Sequence, residues 1–404
     1  MATTTRSVDK GGSTPSALLG VLASRGPASR AELARTLDVS SATVTQLTKD
    51  LLRAGIIKEL ATVPSDGGRP ARLLGLAHSP GNAIGVKVTA DHVALVEVNA
   101  DLAIERSTRL PFDPMRADAV DQLVRLVEGE VAGVEHLLGV GVGVPGSVDA
   151  QDSGIVDAHT LGWSGATLGA QLRSRLQVPV LVENDVNTLA VADRLFGVGR
   201  NHRDYLIVTI GRGIGLAMIV DGNVYRGSSG GVGEIGHICV IPDGPVCSCG
   251  LRGCLEAVIG DQALIDAGVA EGILPVGSEP AALLRAADEG STAAQQIYSG
   301  AGDVLGRTLA GIVHLVNPEV VVILGEGVAG WAHWSDGFAD SFRRHLIPAR
   351  RHVGFQTVVW DEDTWALGAA SLILASPFDA HGVAGTQGKL VRERLHAHAS
   401  RSSG

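Results

Sequence analysis

Residues 234–256 read Glu234-Ile-Gly-His237-Ile-Cys239-Val-Ile-Pro-Asp-Gly244-Pro-Val-Cys247-Ser-Cys249-Gly250-Leu-Arg-Gly253-Cys254-Leu-Glu256. All four cysteines of the 404-residue chain fall in this stretch, with one histidine and a carboxylate at each end. Cys247-x-Cys249-x4-Cys254, with His237 ahead of them, supplies three thiolates and one imidazole, the donor set that tetrahedral structural zinc prefers. Cys247 and Cys249 are too close in sequence to pair comfortably with each other, and Gly244, Gly250 and Gly253 suit a chain wrapped tightly round an ion. The expectation is a structural Zn2+ held by His237, Cys247, Cys249 and Cys254, with no open position for catalysis by the metal. Cys239 is left over and reads as a small core residue.

At 45% hydrophobic residues the chain can fill the cores of two or three domains. No apolar run approaches the ~18 residues of a membrane span, and the first dozen residues are polar, so a cytoplasmic protein with no membrane partner is expected. Charge is unevenly divided. Residues 1–80 hold ten Lys/Arg against six Asp/Glu, a net of +4, and the whole-chain net of −10 leaves −14 for the rest. The basic end is therefore where a polyanion would be met, since the acidic body repels one.

Residues 1–13 are rich in Thr, Ser and Gly and are predicted to be disordered. Apolar spacing then predicts helices over 15–24, 30–37 and 41–54, with a Ser29/Glu32 capping box on the second. Ser40 or Ser41 can cap the third, and Gly55 stops it. Strands over 56–60 and 72–76 flank the loop Pro64-Ser65-Asp66-Gly67-Gly68-Arg69-Pro70. Helix, helix, turn, helix and hairpin over 14–80 make a winged helix-turn-helix. Ser41, Thr43, Thr45, Gln46 and Lys49 on the third helix, with Arg69 at the wing tip, are the expected contacts to a double-stranded DNA operator.

From residue 81 the texture changes to alternating strands and helices. Strands over 83–88, 93–98, 138–144 and 178–182 define a first lobe, 81–198. A second lobe, 199–375, opens with 205–210, the turn Gly211-Arg212-Gly213-Ile214-Gly215 and 216–220, adds strands at 320–324 and 356–360, and closes on a helix near 364–374. Two lobes opening on similar hairpins point to a duplicated α/β fold. Residues 376–404, rich in Gly, Ser, His and Arg, read as a flexible tail.

The 234–256 stretch, Glu183-Asn184-Asp185-Val186-Asn187, Gly143-Val144-Pro145-Gly146 and Gly211-x-Gly213-x-Gly215 together resemble the ROK (repressor, open reading frame, kinase) family of transcriptional regulators, over about residues 15–375. The resemblance implies a winged helix-turn-helix followed by a duplicated ribonuclease-H-like, actin-like sugar-kinase body, whose last helix returns to the first lobe. It implies a sugar or sugar phosphate bound between the lobes by Asn184, Asp185, Glu234, His237 and Glu256, with Asp185 at the position of the kinases' catalytic base.

Where ROK kinases carry an Asp-x-Gly-Gly-Thr phosphate loop, this chain has Lys87-Val88-Thr89-Ala90-Asp91, without either glycine and with lysine for the first aspartate. Arg212 stands where the kinases carry threonine, and His159-Thr160 where they usually carry Pro-Asn. No catalytic residue is assigned, and a non-enzyme is expected. These features imply a sugar-responsive DNA-binding regulator, a repressor of carbohydrate uptake or metabolism genes working as a homodimer or homotetramer. The alternative is an ATP-dependent sugar kinase with an appended DNA-binding domain.

Overall fold

The computed structural model describes residues 18–19, 21–22, 26–53, 57–65, 68–76, 81–99, 103–359, 361, 363–379 and 382–402. The segment 1–13, most of the first helix, Gly55 and the wing-tip residues Asp66 and Gly67 lie outside them. The chain divides into two compact units, Met1–Asn201 with Trp365–Gly404, and His202–Thr364.

In the first unit, the helices Arg30–Leu37 and Ser41–Arg53 are followed by the long hairpin β2 (Ile57–Ser65) and β3 (Gly68–Leu76), and the short β1 (Ala28–Ser29) pairs with β3. Leu18, Leu22, Leu33, Val44, Leu51, Ile57 and Leu74 share one small core. The capping box forms in full: the Ser29 backbone N–H donates to Glu32 Oε2 at 2.7 Å, and the Glu32 N–H donates to Ser29 Oγ at 3.3 Å. Ser40 caps the next helix, accepting from the Thr43 N–H at 3.1 Å.

The same unit holds a five-stranded sheet of order β11-β7-β4-β5-β6, where β4 is Asn82–Val88, β5 His92–Val98, β6 Ile104–Pro111, β7 Leu137–Val144 and β11 Val180–Asn184. β4, β5 and β6 are antiparallel neighbours, and β7 and β11 run parallel to β4. β6 has no counterpart in the sequence reading: its alternation of charged and small polar residues hides a strand that lies at the edge of the sheet. A small sheet of β8 (Ser147–Val148), β9 (Val156–Ala158) and β10 (Trp163–Ala166) follows β7. Helices Ala119–Val131 and Leu168–Leu176 contribute to the core on one face.

On the other face lies helix Thr364–Ala375, seated directly on backbone. A Cβ on Gly85 or on Gly141 would fall 1.9 Å from the carbonyl oxygen of Ala366 or Ala369 respectively. Glycine in Leu137-Leu-Gly-Val-Gly141-Val-Gly-Val144 is thus a packing requirement. The flexible tail expected over 376–404 is corrected here: Gly385–Ser402 is a helix, and its Val391 and Leu395 are buried with Ala83, Leu138 and Leu181. Two apolar residues four apart carry the docking, too weak a signal among the polar ones.

The second unit repeats the arrangement. Its sheet runs β14-β13-β12-β15-β16, with β12 Tyr205–Thr209, β13 Gly215–Val220, β14 Asn223–Val224, β15 Val320–Leu324 and β16 Gly354–Thr357. The first strand again sits centrally, its two antiparallel successors lie on one side, and two later parallel strands lie on the other. This shared order is the duplication that the paired hairpins anticipated. Helix Thr292–Val316 packs on helix Trp331–His345, where Gly302 and Gly306 admit the backbone around Trp334 and Phe338. No helix among the described residues is long and apolar enough to cross a membrane.

Leu395→Ala is expected to cost about 2–5 kcal/mol, the range for a buried leucine, read as a lowered denaturant midpoint. A shift below about 0.5 kcal/mol, usual for surface positions, would mean that the C-terminal helix does not dock.

Candidate functional site

His237 ends a short 3-10 turn, Ile235–His237, and Cys254 immediately precedes helix Leu255–Ile259. The ligand atoms of His237, Cys247, Cys249 and Cys254 all lie within 4.8 Å of one another. Cys249 Sγ and Cys254 Sγ are 3.8 Å apart, and Cys247 Sγ and His237 Nδ1 are 3.5 Å apart. Two sulfurs at about 2.3 Å from a tetrahedral ion would be about 3.8 Å apart, and a sulfur and an imidazole nitrogen about 3.5 Å. The set therefore fits a metal ion. Cys239 is exposed, which corrects its reading as a core residue. Gly253 takes a left-handed φ of 69°, and a Cβ there would strike the Ile241 carbonyl at 1.7 Å. Burial pushes the Cys254 thiol up to about 12, so an ion at this centre would supply the charge that keeps it a thiolate.

Two candidate ligand-binding carboxylates extend from this centre. Glu234 Oε2 lies 3.9 Å from His237 Nε2, the ring nitrogen opposite the one facing Cys247. His237 can thus offer Nδ1 to an ion while Nε2 stands in ion-pair range of a carboxylate. Glu256 reaches back to the glycine turn, accepting from the Ile214 N–H at 3.3 Å.

That turn has acidic surroundings. A Cβ on Gly211 would fall 2.5 Å from Glu326 Oε2, and one on Gly213 3.0 Å from Glu256 Oε2. The Asp261 N–H donates to the Gly211 carbonyl at 3.0 Å. Burial and then the Glu326 charge push the Asp261 carboxyl up to about 6, against the pull of Arg212. Three carboxylates around one turn disfavour a polyphosphate there.

Asn184 and Asp185 belong to the first unit, at the junction of β11 and helix Asp185–Phe196. Asn184 caps that helix, its Oδ1 accepting from the Asn187 N–H at 3.1 Å, and its Nδ2 donates to the Gly146 carbonyl at 2.9 Å. Behind it the buried Glu183 accepts from Gln151 Nε2 at 2.9 Å and Asn187 Nδ2 at 3.2 Å. The Lys87 ammonium pairs with Asp185 Oδ2, and Asp185 Oδ1 accepts from the Val186 N–H at 2.8 Å. The β4–β5 turn is closed by its own hydroxyl: the His92 N–H at 3.1 Å and the Asp91 N–H at 3.4 Å both point to Thr89 Oγ1, which donates to Asp91 Oδ1 at 2.8 Å.

The ROK family model matches residues 83–376, and a winged helix-turn-helix DNA-binding model matches 14–58. The chain belongs to the ROK family. A xylose repressor of Caldicellulosiruptor bescii is 27% identical over 314 residues, 73% of this chain and 78% of that one. The crystal structure of a ROK family transcriptional regulator, a homologue of the Escherichia coli Mlc protein, superposes with a TM-score of 0.80 at 22% identity, covering 96% of this chain and all of that one. A ROK family glucokinase from Streptomyces griseus, in complex with glucose and AMPPNP, aligns with a TM-score of 0.65 at 28% identity, covering 72% of this chain and 99% of that one.

Ahead of the ROK body, the expected DNA-reading residues lie on helix Ser41–Arg53. Ser41, Thr45, Gln46 and Lys49 are exposed. Thr43 is half-buried and shares a 2.8 Å hydrogen bond with Ser40. Gln46 Nε2 donates to Asp50 Oδ2 at 2.8 Å, an acidic neighbour that the sequence reading passed over although it stands one turn along the same face. Arg69 falls on β3, and its side chain lies outside the described residues. Arg30 donates to Thr48 Oγ1 at 3.0 Å and to Glu59 Oε1 at 3.3 Å, while Arg72 also pairs with Glu59, tying the second helix to the third and to the wing.

Cys249→Ser is expected to lower the stoichiometry of bound metal, read by elemental analysis after dialysis. Full metal content would show that the four residues do not act as one centre. Asp261→Asn is expected to raise the melting temperature near pH 7.5, with the gain shrinking toward pH 5. A carboxyl whose folded value is about 6, against an ordinary 3.8, favours the fold while protonated and loses that contribution as pH rises through 6. A gain independent of pH would contradict this assignment.

Proposed function

We propose that the chain is a sugar-responsive transcriptional regulator, a cytoplasmic repressor of carbohydrate uptake or metabolism genes. The observation that carries the reading is a winged helix-turn-helix joined in one chain to a ROK body that keeps the family's polar ligand set. Asn184, Asp185, Glu234, His237 and Glu256 are its sugar contacts. Carboxylates and amides held at strand ends or beside a rigid ion recognise hydroxyls specifically, because a misfitting sugar leaves buried polar groups unpaired. Asn184 contributes through its remaining donor and acceptor capacity, since capping and the Gly146 bond already use one of each.

Zinc is the ion proposed for His237, Cys247, Cys249 and Cys254, since three thiolates and an imidazole favour it. Bound there it would supply rigidity, fixing the loop from which Glu234, His237 and Glu256 project. The acidic glycine turn and the self-closed β4–β5 turn favour binding without phosphoryl transfer. Backbone N–H groups that could cradle phosphate point instead to Thr89 Oγ1.

A single basic reader makes few phosphate contacts, so operator affinity requires two linked readers, in a homodimer or homotetramer. Sugar and DNA are then coupled through the chain, by about 1–3 kcal/mol, or roughly 5–150-fold in operator affinity. The test is a duplex selected from a random library by the full-length protein, titrated with and without D-xylose, D-glucose, N-acetyl-D-glucosamine and their phosphates. One of them should shift operator affinity, and ATP with magnesium should not be turned over. Sugar-dependent ATP hydrolysis would restore the kinase reading. Lys49→Ala is expected to weaken operator binding several-fold and to reduce the salt slope by about one, with sugar affinity unchanged. A loss of sugar affinity instead would show that the two functions are not divided between the two domains.

A further inference from the structure

Lys87 lies in β4 between Val86 and Val88, facing Ala94 on β5 and Gly143 on β7. It is only 7% exposed. Its ammonium pairs with Asp185, itself 9% exposed, and sits 4.3 Å from the ring centroid of Trp365. An aromatic face and a carboxylate together make a complete seat for a desolvated cation. A buried ion pair is a poor way to stabilise a core, because removing both charges from water offsets their attraction, and apolar residues of similar volume often do as well. Its presence at the mouth of helix Asp185–Phe196 calls for another explanation.

We infer that Lys87 is a positioning residue for the effector: it holds the Asp185 carboxylate as a fixed acceptor of ligand hydroxyl hydrogens. This rests on the reading of Asp185 as a sugar contact. Oδ2 is engaged by the ammonium and Oδ1 by the Val186 N–H, and each carboxylate oxygen keeps capacity to accept one more hydrogen bond. An ammonium has three N–H donors. With one directed at Asp185 and the ring face beside it, Lys87 can still donate to a ligand oxygen. Acceptor and donor then stand side by side, the pattern complementary to two adjacent sugar hydroxyls, one donating to Asp185 and its neighbour accepting from Lys87.

The test is calorimetric titration of full-length wild type, Lys87→Met, Lys87→Arg and Asp185→Asn with D-xylose, D-glucose, N-acetyl-D-glucosamine and their phosphates. The sugar that binds the wild type should bind Lys87→Met about tenfold or more weakly, the loss expected for a hydrogen-bonded charge, and Lys87→Arg should recover most of that loss. Loss of binding in Asp185→Asn with wild-type affinity in Lys87→Met would overturn the role of Lys87 alone. Wild-type affinity in Asp185→Asn would overturn the reading of Asp185 itself, and no heat with any sugar would overturn both.

Should Lys87→Met fold poorly, melting of Lys87→Met/Asp185→Asn separates the cases. The double variant, neutral on both sides, should lose less stability than the sum of the single losses. Additive losses would mean that the pair is not coupled, and the inference falls.

Discussion

Everything in the larger unit depends on how closely helix Thr364–Ala375 approaches the sheet. Gly85 and Gly141 remove the side chains that would hold it off, so Ala366 and Ala369 meet backbone directly. That contact sets the depth of the helix, and its first turn carries Trp365 to the Lys87 ammonium. The chemistry at Asp185 is therefore fixed by a packing distance as much as by the residues that take part. A larger side chain at either glycine would displace the ring, the ammonium and the carboxylate together.

Four carboxylates of the ROK body are each committed differently. Asp185 is paired with a buried lysine. Glu256 accepts from the turn that would cradle a nucleotide, and Glu326 and Asp261 crowd the same turn. Carboxylates fixed in this way can accept hydrogen bonds from hydroxyls. The underlying framework is retained in both units, since the order of strands is the same in each.

Much of this was legible in the sequence. The periodic leucines of the N-terminal module, the Ser29/Glu32 box, the twin hairpins and the Cys/His stretch all announce themselves locally, because each depends on residues within a few positions of one another. What escaped depends on distance along the chain. Lys87 reads as a lost phosphate loop, whereas its partner stands 98 residues away. β6 lacks an apolar alternation because it is an edge strand, and the C-terminal helix docks through two residues in a polar segment. Asn184, which the family resemblance marks as a ligand contact, also caps its helix and reaches the Gly146 carbonyl, 38 residues back along the chain.

The order of the units along the chain has a consequence for biosynthesis. His202–Thr364 is inserted within the first unit, whose sheet is complete by Asn184 but most of whose second covering layer is encoded only after Thr364. A chain emerging from the ribosome must therefore keep Ala83, Val96, Val98, Leu138 and Leu181 waiting while more than 160 residues of another unit are made. Contacts of such long sequence separation form late and leave apolar surface open to misassembly. For this architecture, a premature stop near residue 360 would not trim an appendage. It would uncover Gly85 and Gly141 and leave that face of the sheet with helix Asp185–Phe196 alone.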